Sequence, residues 1–216
     1  MCAVFTPTQN KTWVHQHFGV DLPGEYPQEV YPGYAAPIIV KSHRSARIAC
    51  GLARFGLIPA WAKDTTIGRH TYNARSETVA EKPSYRNAWR KRQFAIALVE
   101  HFYEPSYETG KAVRWQIKTA DNQPFGIASI WDQWTDGTTG EVVVSFSMLT
   151  INAAQHPVMR AFHKPEDEKR TPLVLSPEHY MKWLEATTED AREALRIDLM
   201  PELMATPTLQ YADGYC

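Results

Sequence analysis

Runs of apolar residues and alternating apolar and polar positions predict most of the strands of this chain. The strongest case is residues 94–99, because Phe-Ala-Ile-Ala-Leu-Val contains no polar residue, as in a buried strand. Further strands are predicted at residues 38–40, 48–57, 114–119, 125–131, 142–151 and 172–175. The segment 136–140, Asp-Gly-Thr-Thr-Gly, is typical of a hairpin turn that leads into the strand at 142–151.

Helical patterns are predicted at residues 8–18, 83–92, from 176 onwards and at 188–199. Gly19 is placed to end the first helix, and Ser176 suits the N-cap position of the third, where Pro177 follows at the first helical residue. Tyr85 and Trp89 lie four residues apart in the second helix and therefore share one face.

These elements predict an α+β fold, a mostly antiparallel, barrel-like sheet with peripheral helices. The chain has 216 residues, which suits a single domain spanning 1–216. Residues 22–37 are rich in proline and glycine and are expected to form a loop or an irregular edge. We expect the chain after about residue 201 to be loosely held.

Composition excludes several classes of protein. Hydrophobic residues make up 44% of the chain, which fits a folded globular protein, yet no window approaches the ~20 apolar residues that a membrane helix needs. The N-terminus lacks the basic and apolar regions of a secretory signal. The three cysteines are too scattered for a disulfide framework or a zinc site. We therefore expect a monomer in a reducing, cytoplasm-like compartment, with no metal, cofactor or membrane partner.

Basic residues are concentrated in one segment, although the formal net charge is only −1. Residues 69–92 hold seven lysines and arginines against two glutamates, and such a segment can attract an anion to one groove. A solvated helix face is the alternative interpretation of the same pattern.

Cys2 is the first candidate for chemistry, because removal of Met1 would give it a free α-amine beside its thiol. The α-amine has a pKa of roughly 7.7–8.0 and a free thiol one of about 8.5, so both are partly nucleophilic near neutrality. With an aldehyde, the amine forms a Schiff base and the thiol then closes a five-membered thiazolidine ring. This chemistry requires an exposed first residue.

Further candidates are distributed along the chain. Asn73 has the donors and the acceptor needed to position a nucleophile, Arg75 has a planar fork suited to phosphate, and Glu77 is placed to hold Arg75 by a salt bridge. Glu104 follows a buried strand, where alternation puts it on the face opposite His101 and Tyr103.

Two more residues have suitable chemistry for nucleic-acid processing. Histidine side chains can transfer protons near neutral pH, which makes His163 a candidate for proton transfer. Trp61 can stack on an unpaired base, a contact worth about 1–3 kcal/mol. Taken singly, each candidate also fits a purely structural role.

In combination and in this order, these residues resemble the SRAP family of abasic-site processing proteins, also called SOS-response-associated peptidases. The motifs that carry the resemblance are Met1-Cys2 with Phe5, Phe55–Trp61, Asn73–Thr78, Phe102-Tyr103-Glu104, and His163 with Arg170–Glu178. The chain departs from the family at Ala3 and Val4, at Tyr34 to Pro37, at Pro105, and in the extended segment Lys164–Lys169.

The resemblance implies a covalent thiazolidine crosslink between Cys2 and an abasic site in single-stranded DNA, as part of a DNA-damage response. It implies that Asn73 positions the N-terminus, that Glu104 is a general acid or base, and that His163 assists opening of the deoxyribose ring. Residues expected to contact DNA are Arg75, Trp61, Arg86, Arg90 and Arg170. It also implies exposure of Cys2, by autoproteolysis or by a host aminopeptidase, and lyase-like chemistry.

Two other functions use the same residues. An N-terminal-nucleophile hydrolase or cysteine peptidase would use Cys2 against an amide, with Asn73 as an oxyanion donor. A non-catalytic single-strand-binding module would use Trp61 and the arginines, and its binding would be indifferent to the lesion.

Overall fold

The computed structural model describes residues 2–42 and 45–208. At its centre, five strands pair in the order β7–β8–β3–β2–β5, and β5 pairs again with β7, which closes a barrel. These strands are β2 (Ala35–Lys41), β3 (Ile48–Phe55), β5 (Phe94–Ser106), β7 (Phe125–Thr135) and β8 (Val142–Asn152). All neighbours are antiparallel except β3 and β8, which are parallel. The predicted barrel-like sheet is confirmed, as a mixed barrel.

The remaining strands extend the barrel. They are β1 (Val4–Pro7), β4 (Asn73–Arg75), β6 (Val113–Thr119), β9 (Arg170–Pro172), β10 (Val174–Leu175) and β11 (Leu203–Pro207). β1 and β6 pair with β5, β4 and β9 pair with β8, and β10 pairs with β7. The segments that carry Cys2, Asn73 and Glu104 are thereby attached to two strands of one barrel.

In the part of the chain that the structure describes, four short α-helices surround the sheet: α1 (Lys11–Phe18), α2 (Arg86–Arg90), α3 (Tyr180–Glu185) and α4 (Thr188–Glu193). Short 3-10 helices lie at Thr65–His70, Met159–Ala161, Pro177–His179 and Ile197–Leu199. Within the described residues, no helix combines the length and the apolar character needed to cross a membrane.

Helix ends differ from prediction where side chains compete for backbone groups. α1 begins later than residue 8 because Asn10 caps it, accepting a hydrogen bond from the Trp13 amide at 2.9 Å, and Gly19 ends it at φ 66° as predicted. Ser176 precedes a 3-10 turn but makes no capping bond. The predicted helix 188–199 ends at Glu193, and its start is fixed by a capping box at Thr187 that the sequence analysis missed.

The chain after residue 201 is not loosely held as far as the structure describes it. β11 pairs with β6 over five residues, and Leu203 is buried in the core, so apolar burial and main-chain hydrogen bonds fix this segment. Residues 209–216 lie outside the described residues.

Two apolar clusters lie on opposite faces of the barrel wall. In β5, Phe94, Ile96 and Leu98 pack with α1, α2 and α3 on the outside. Ala95 and Ala97 alternate with them and join Phe55 and Phe146 in the second cluster, which fills the barrel. Cys2 belongs to this inner cluster, so its side chain is enclosed by the barrel instead of projecting into solvent.

Candidate active site

Cys2 is placed by the pairing of β1 with β5. Val4 lies opposite Tyr103, so the start of the chain is delivered to the part of β5 that carries Glu104. The Cys2 side chain is fully buried, and its thiol makes a long contact of 3.7 Å with the carbonyl oxygen of Val4. The expectation of an exposed Cys2 is therefore wrong for its side chain, because the inner apolar cluster encloses it.

Asn73 holds the main chain of Cys2. Its Nδ2 donates a hydrogen bond of 2.7 Å to the Cys2 carbonyl oxygen, across 71 positions of sequence. β4 fixes Asn73 against Met148 of β8, and the Tyr85 hydroxyl donates to the Asn73 carbonyl oxygen at 3.0 Å. Its Oδ1 is buried and has no hydrogen-bond partner among the described residues, so one acceptor is left over on the side chain that holds the Cys2 main chain.

Glu104 and His163 form a buried pair. The Nε2 atom of His163 lies 3.0 Å from Oε2 of Glu104, and both side chains are almost completely enclosed. The His163 amide donates to the Pro105 carbonyl oxygen at 3.1 Å, and His163 adopts φ 66°, an unusual conformation for a residue other than glycine. The predicted alternation along β5 is confirmed, since His101 and Tyr103 contact each other on the opposite face.

The electrostatics of the site disfavour a thiolate. Burial raises the pKa of the Cys2 thiol, and the negative charge of Glu104 raises it further, while backbone hydrogen bonds at Val4 and Tyr103 oppose this. Burial also raises the pKa of Tyr72, and the charges of Cys2 and Glu104 add to that effect. Tyr72 therefore lies in the same electrostatic environment. Sequence reasoning missed it, and its only signal was its position immediately before Asn73.

The salt bridges around Arg75 differ from those predicted. Glu77 does not hold Arg75. It binds Arg170, at 2.8 and 3.2 Å, because β9 pairs with β8 and brings Arg170 alongside. Arg75 instead pairs with Glu168, with Nη1 2.8 Å from Oε2.

Arg170 was predicted to contact DNA, but the structure buries it among acceptors of the protein. Its side chain is 2% exposed. All five of its N–H groups have partners within the protein: Thr150 Oγ1, the Thr150 carbonyl oxygen, Glu168 and both oxygens of Glu77. No donor remains for a phosphate, so Arg170 is a structural residue that ties the segment 73–78 to β8.

Replacing Arg170 by alanine is expected to lower the free energy of unfolding by about 2–3 kcal/mol, because it removes the hydrogen bonds of a buried guanidinium group, two to Thr150 and three to the carboxylates of Glu77 and Glu168. Denaturant unfolding measures this. Arg86→Ala is the control, since Arg86 is exposed on α2 and its loss should cost no more than about 0.5 kcal/mol. Equal effects of the two variants would contradict the structural role of Arg170.

The other predicted DNA contacts are accessible. Arg86 and Arg90 are exposed on α2, whereas Tyr85 and Trp89 are buried together, as the spacing predicted. Trp61 is 58% exposed, and its Nε1 donates to the Pro83 carbonyl oxygen at 3.2 Å, which places it beside the basic segment. The structure thus leaves Arg75, Trp61, Arg86 and Arg90 on the surface and brings Cys2, Asn73, Glu104 and His163 together in the interior.

Relatives of known structure share this fold. A protein from Bordetella bronchiseptica superposes with a TM-score of 0.85 at 31% identity, covering 96% of this chain and 99% of the other. A protein from Bacteroides thetaiotaomicron gives a TM-score of 0.81 at 22% identity, covering 97% of this chain and 93% of the other.

Sequence comparison identifies the family. The abasic site processing protein YoqW of Bacillus subtilis is 30% identical over 196 residues, which is 88% of this chain and 83% of the relative. The abasic site processing protein HMCES of Xenopus tropicalis is 24% identical over 67% of this chain and 47% of its own length. The model of the SOS response associated peptidase (SRAP) family matches residues 1–210. This chain belongs to the SRAP family.

Proposed function

We propose that this protein, once Met1 is removed, captures the aldehyde of an abasic site in single-stranded DNA through Cys2. The observation that carries the proposal is the convergence on Cys2 of Asn73 from β4 and of the Glu104–His163 pair. The similarity to proteins named abasic site processing proteins supports the same substrate. While Met1 is attached, the nitrogen of Cys2 is part of an amide and is not nucleophilic. Removal of Met1 is therefore the activating step.

The proposed reaction begins at the amine. The lone pair of the Cys2 nitrogen forms a C–N bond with the aldehyde carbon, the carbonyl oxygen takes up protons, and one water leaves as the iminium forms. The Cys2 sulfur then forms a C–S bond with the same carbon, and its proton is lost to a base. The net result is a thiazolidine and one released water.

Glu104 and His163 are the proposed proton carriers. Glu104 is close enough for its charge to act on the Cys2 thiol, so its carboxylate can receive a proton from the amine or the thiol. His163 contacts the same carboxylate and can pass the proton on, or act on the sugar hydroxyl as the deoxyribose ring opens to the aldehyde. Asn73 holds the Cys2 carbonyl oxygen and offers Oδ1 to the new α-ammonium group.

Exposed residues around this centre are proposed to bind the strand. Arg75 follows Asn73 by two residues, and Arg86 and Arg90 add positive charge on α2, while Trp61 offers an unpaired base a stacking surface. We propose that the protein acts as a monomer in the cytoplasm, where the reducing environment keeps Cys2 a thiol.

The pH dependence of adduct formation is expected to follow the amine. Because burial raises the pKa of the Cys2 thiol, thiolate is scarce below pH 9, whereas the α-amine loses its proton with a pKa of roughly 7.7–8.0. The single-turnover rate should therefore rise with pH up to about 8 and level off before pH 9. Quenched reactions run on denaturing gels measure this. A rate that keeps rising tenfold per pH unit beyond 9 would contradict amine-first attack.

Intact-mass measurement tests the proposal. The protein is incubated with a single-stranded oligonucleotide that carries one abasic site, and with the matched intact oligonucleotide as control. We expect a mass equal to protein without Met1, plus oligonucleotide, minus one water, only with the abasic strand. An adduct on protein that retains Met1 would refute the proposed chemistry. Turnover of a peptide or amide without any adduct would instead favour the hydrolase.

A further inference from the structure

The guanidinium group of Arg75 is engaged by an acidic residue of the segment that follows His163. Glu168 Oε2 lies 2.8 Å from Arg75 Nη1, and the two side chains are 39% and 51% exposed. Glu168 is itself anchored, since its Oε1 accepts hydrogen bonds from Arg170 at 2.7 Å and from Asn152 at 3.3 Å. The carboxylate is therefore held against Arg75 by one buried donor, Arg170, and one exposed donor, Asn152.

Glu168 contacts Nη1 of Arg75, one of the groups that a phosphate would bind. A carboxylate and a phosphate both offer paired anionic oxygens to an arginine fork, so they compete for the same N–H groups. Partial burial opposes ionisation of Glu168, but hydrogen bonds and charges, chiefly those of Arg170, outweigh it and lower its pKa. The competitor is thus charged at neutral pH.

We propose that Glu168 is a specificity-determining residue, an internal competitor that DNA phosphate must displace from Arg75. The proposal rests on the proposed function and concerns the strand that the same site binds. A phosphate that binds Arg75 must break the existing ion pair between Arg75 and Glu168. The net free energy gained when any single strand binds at Arg75 is therefore small. Intact DNA is then released quickly, and lasting retention depends on the covalent bond formed by Cys2.

Other contacts hold the segment that follows His163 in place without the charge of Glu168. The Lys169 ammonium group donates to the carbonyl oxygens of His163 at 3.3 Å and Lys164 at 2.6 Å, and Arg170 keeps both contacts to Glu77. Glu168→Gln keeps an acceptor oxygen for Arg170 and should fold normally, which thermal unfolding verifies.

The test is the affinity for intact single-stranded DNA, measured by fluorescence anisotropy at several salt concentrations. Glu168→Gln should lower the Kd about threefold at low salt. It should also steepen the log Kd against log salt slope by up to about 0.7, because Arg75 then contacts a phosphate in every bound complex, whereas Glu168 retains Arg75 in part of the wild-type complexes. In an Arg75→Gln background, Glu168→Gln should change neither quantity.

The matched control is Glu141→Gln, which removes the same charge from an exposed residue. Glu141 immediately precedes β8, whereas Asn152, which contacts Glu168, is the last residue of that strand. Glu168→Gln should also make unlabelled intact strand a stronger inhibitor of adduct formation. An unchanged Kd, or equal tightening by Glu141→Gln or in the Arg75→Gln background, would overturn the inference. Failure of the proposed function shows separately, as absence of adduct from the wild-type protein with saturating abasic strand.

Discussion

Cys2→Ala is expected to reduce the yield of stable adduct with abasic single-stranded DNA by at least about a hundredfold. The α-amine that remains can form only an open imine, which water hydrolyses, because no sulfur is present to close the ring. The buried position of Cys2 sharpens this expectation, since the thiol is held beside the main chain that carries the amine. Adduct that survives heating in denaturant, quantified by intact mass, is the measurement.

Two variants separate this effect from a general loss of thiol or of structure. Cys50→Ala removes the other described free cysteine, which lies on β3, and should leave the yield unchanged. Reduction of the alanine adduct by borohydride should trap the imine and restore a stable product. A heat-stable adduct of Cys2→Ala without reduction, at the wild-type yield, would rule out the thiazolidine.

Glu104→Gln is expected to slow adduct formation by about a hundredfold while leaving the affinity for intact single-stranded DNA unchanged. The amide keeps the shape of the side chain beside His163 but cannot accept the proton of the amine or the thiol. Single-turnover rates across pH 6–9 measure this. Loss of the proton acceptor should also change the shape of the pH profile, which a purely structural defect would not do.

Glu108→Gln is the matched control, because it removes the same charge from a residue that is exposed just beyond the end of β5. Both variants should unfold at temperatures close to that of the wild type. A rate for Glu104→Gln within threefold of the wild type would remove Glu104 from the proposed mechanism and leave His163 as the proton carrier.

The local elements of the fold were predictable because they depend on residues that are neighbours in sequence. The apolar run of β5, the hairpin between β7 and β8, and the end of α1 at Gly19 all follow from patterns within about ten residues. The sequence patterns predicted a barrel-like sheet, but they did not predict which strands pair to close it. The β5–β7 contact and the parallel β3–β8 pairing join distant segments, and no local pattern encodes either of them.

The ion pairs are a second feature that local sequence patterns do not predict. Glu77 was predicted to pair with Arg75, which lies two positions before it in the sequence. In the structure, Glu77 instead pairs with Arg170, and Arg75 pairs with Glu168. Arg170 was expected to contact DNA, yet its side chain is buried and bound to acceptors of the protein. Salt-bridge partners depend on distances of a few ångströms, which sequence spacing does not fix.

By itself, the sequence determined the residue types available for chemistry, their order, and the strands and helices that carry them, because these depend on composition and local periodicity. Only the tertiary structure decided that Asn73 holds the Cys2 main chain, that Glu104 faces His163, that Cys2 is buried, and that Glu168 pairs with Arg75. Those relations arise from pairing between strands far apart in sequence, and from the exclusion of water that this pairing creates.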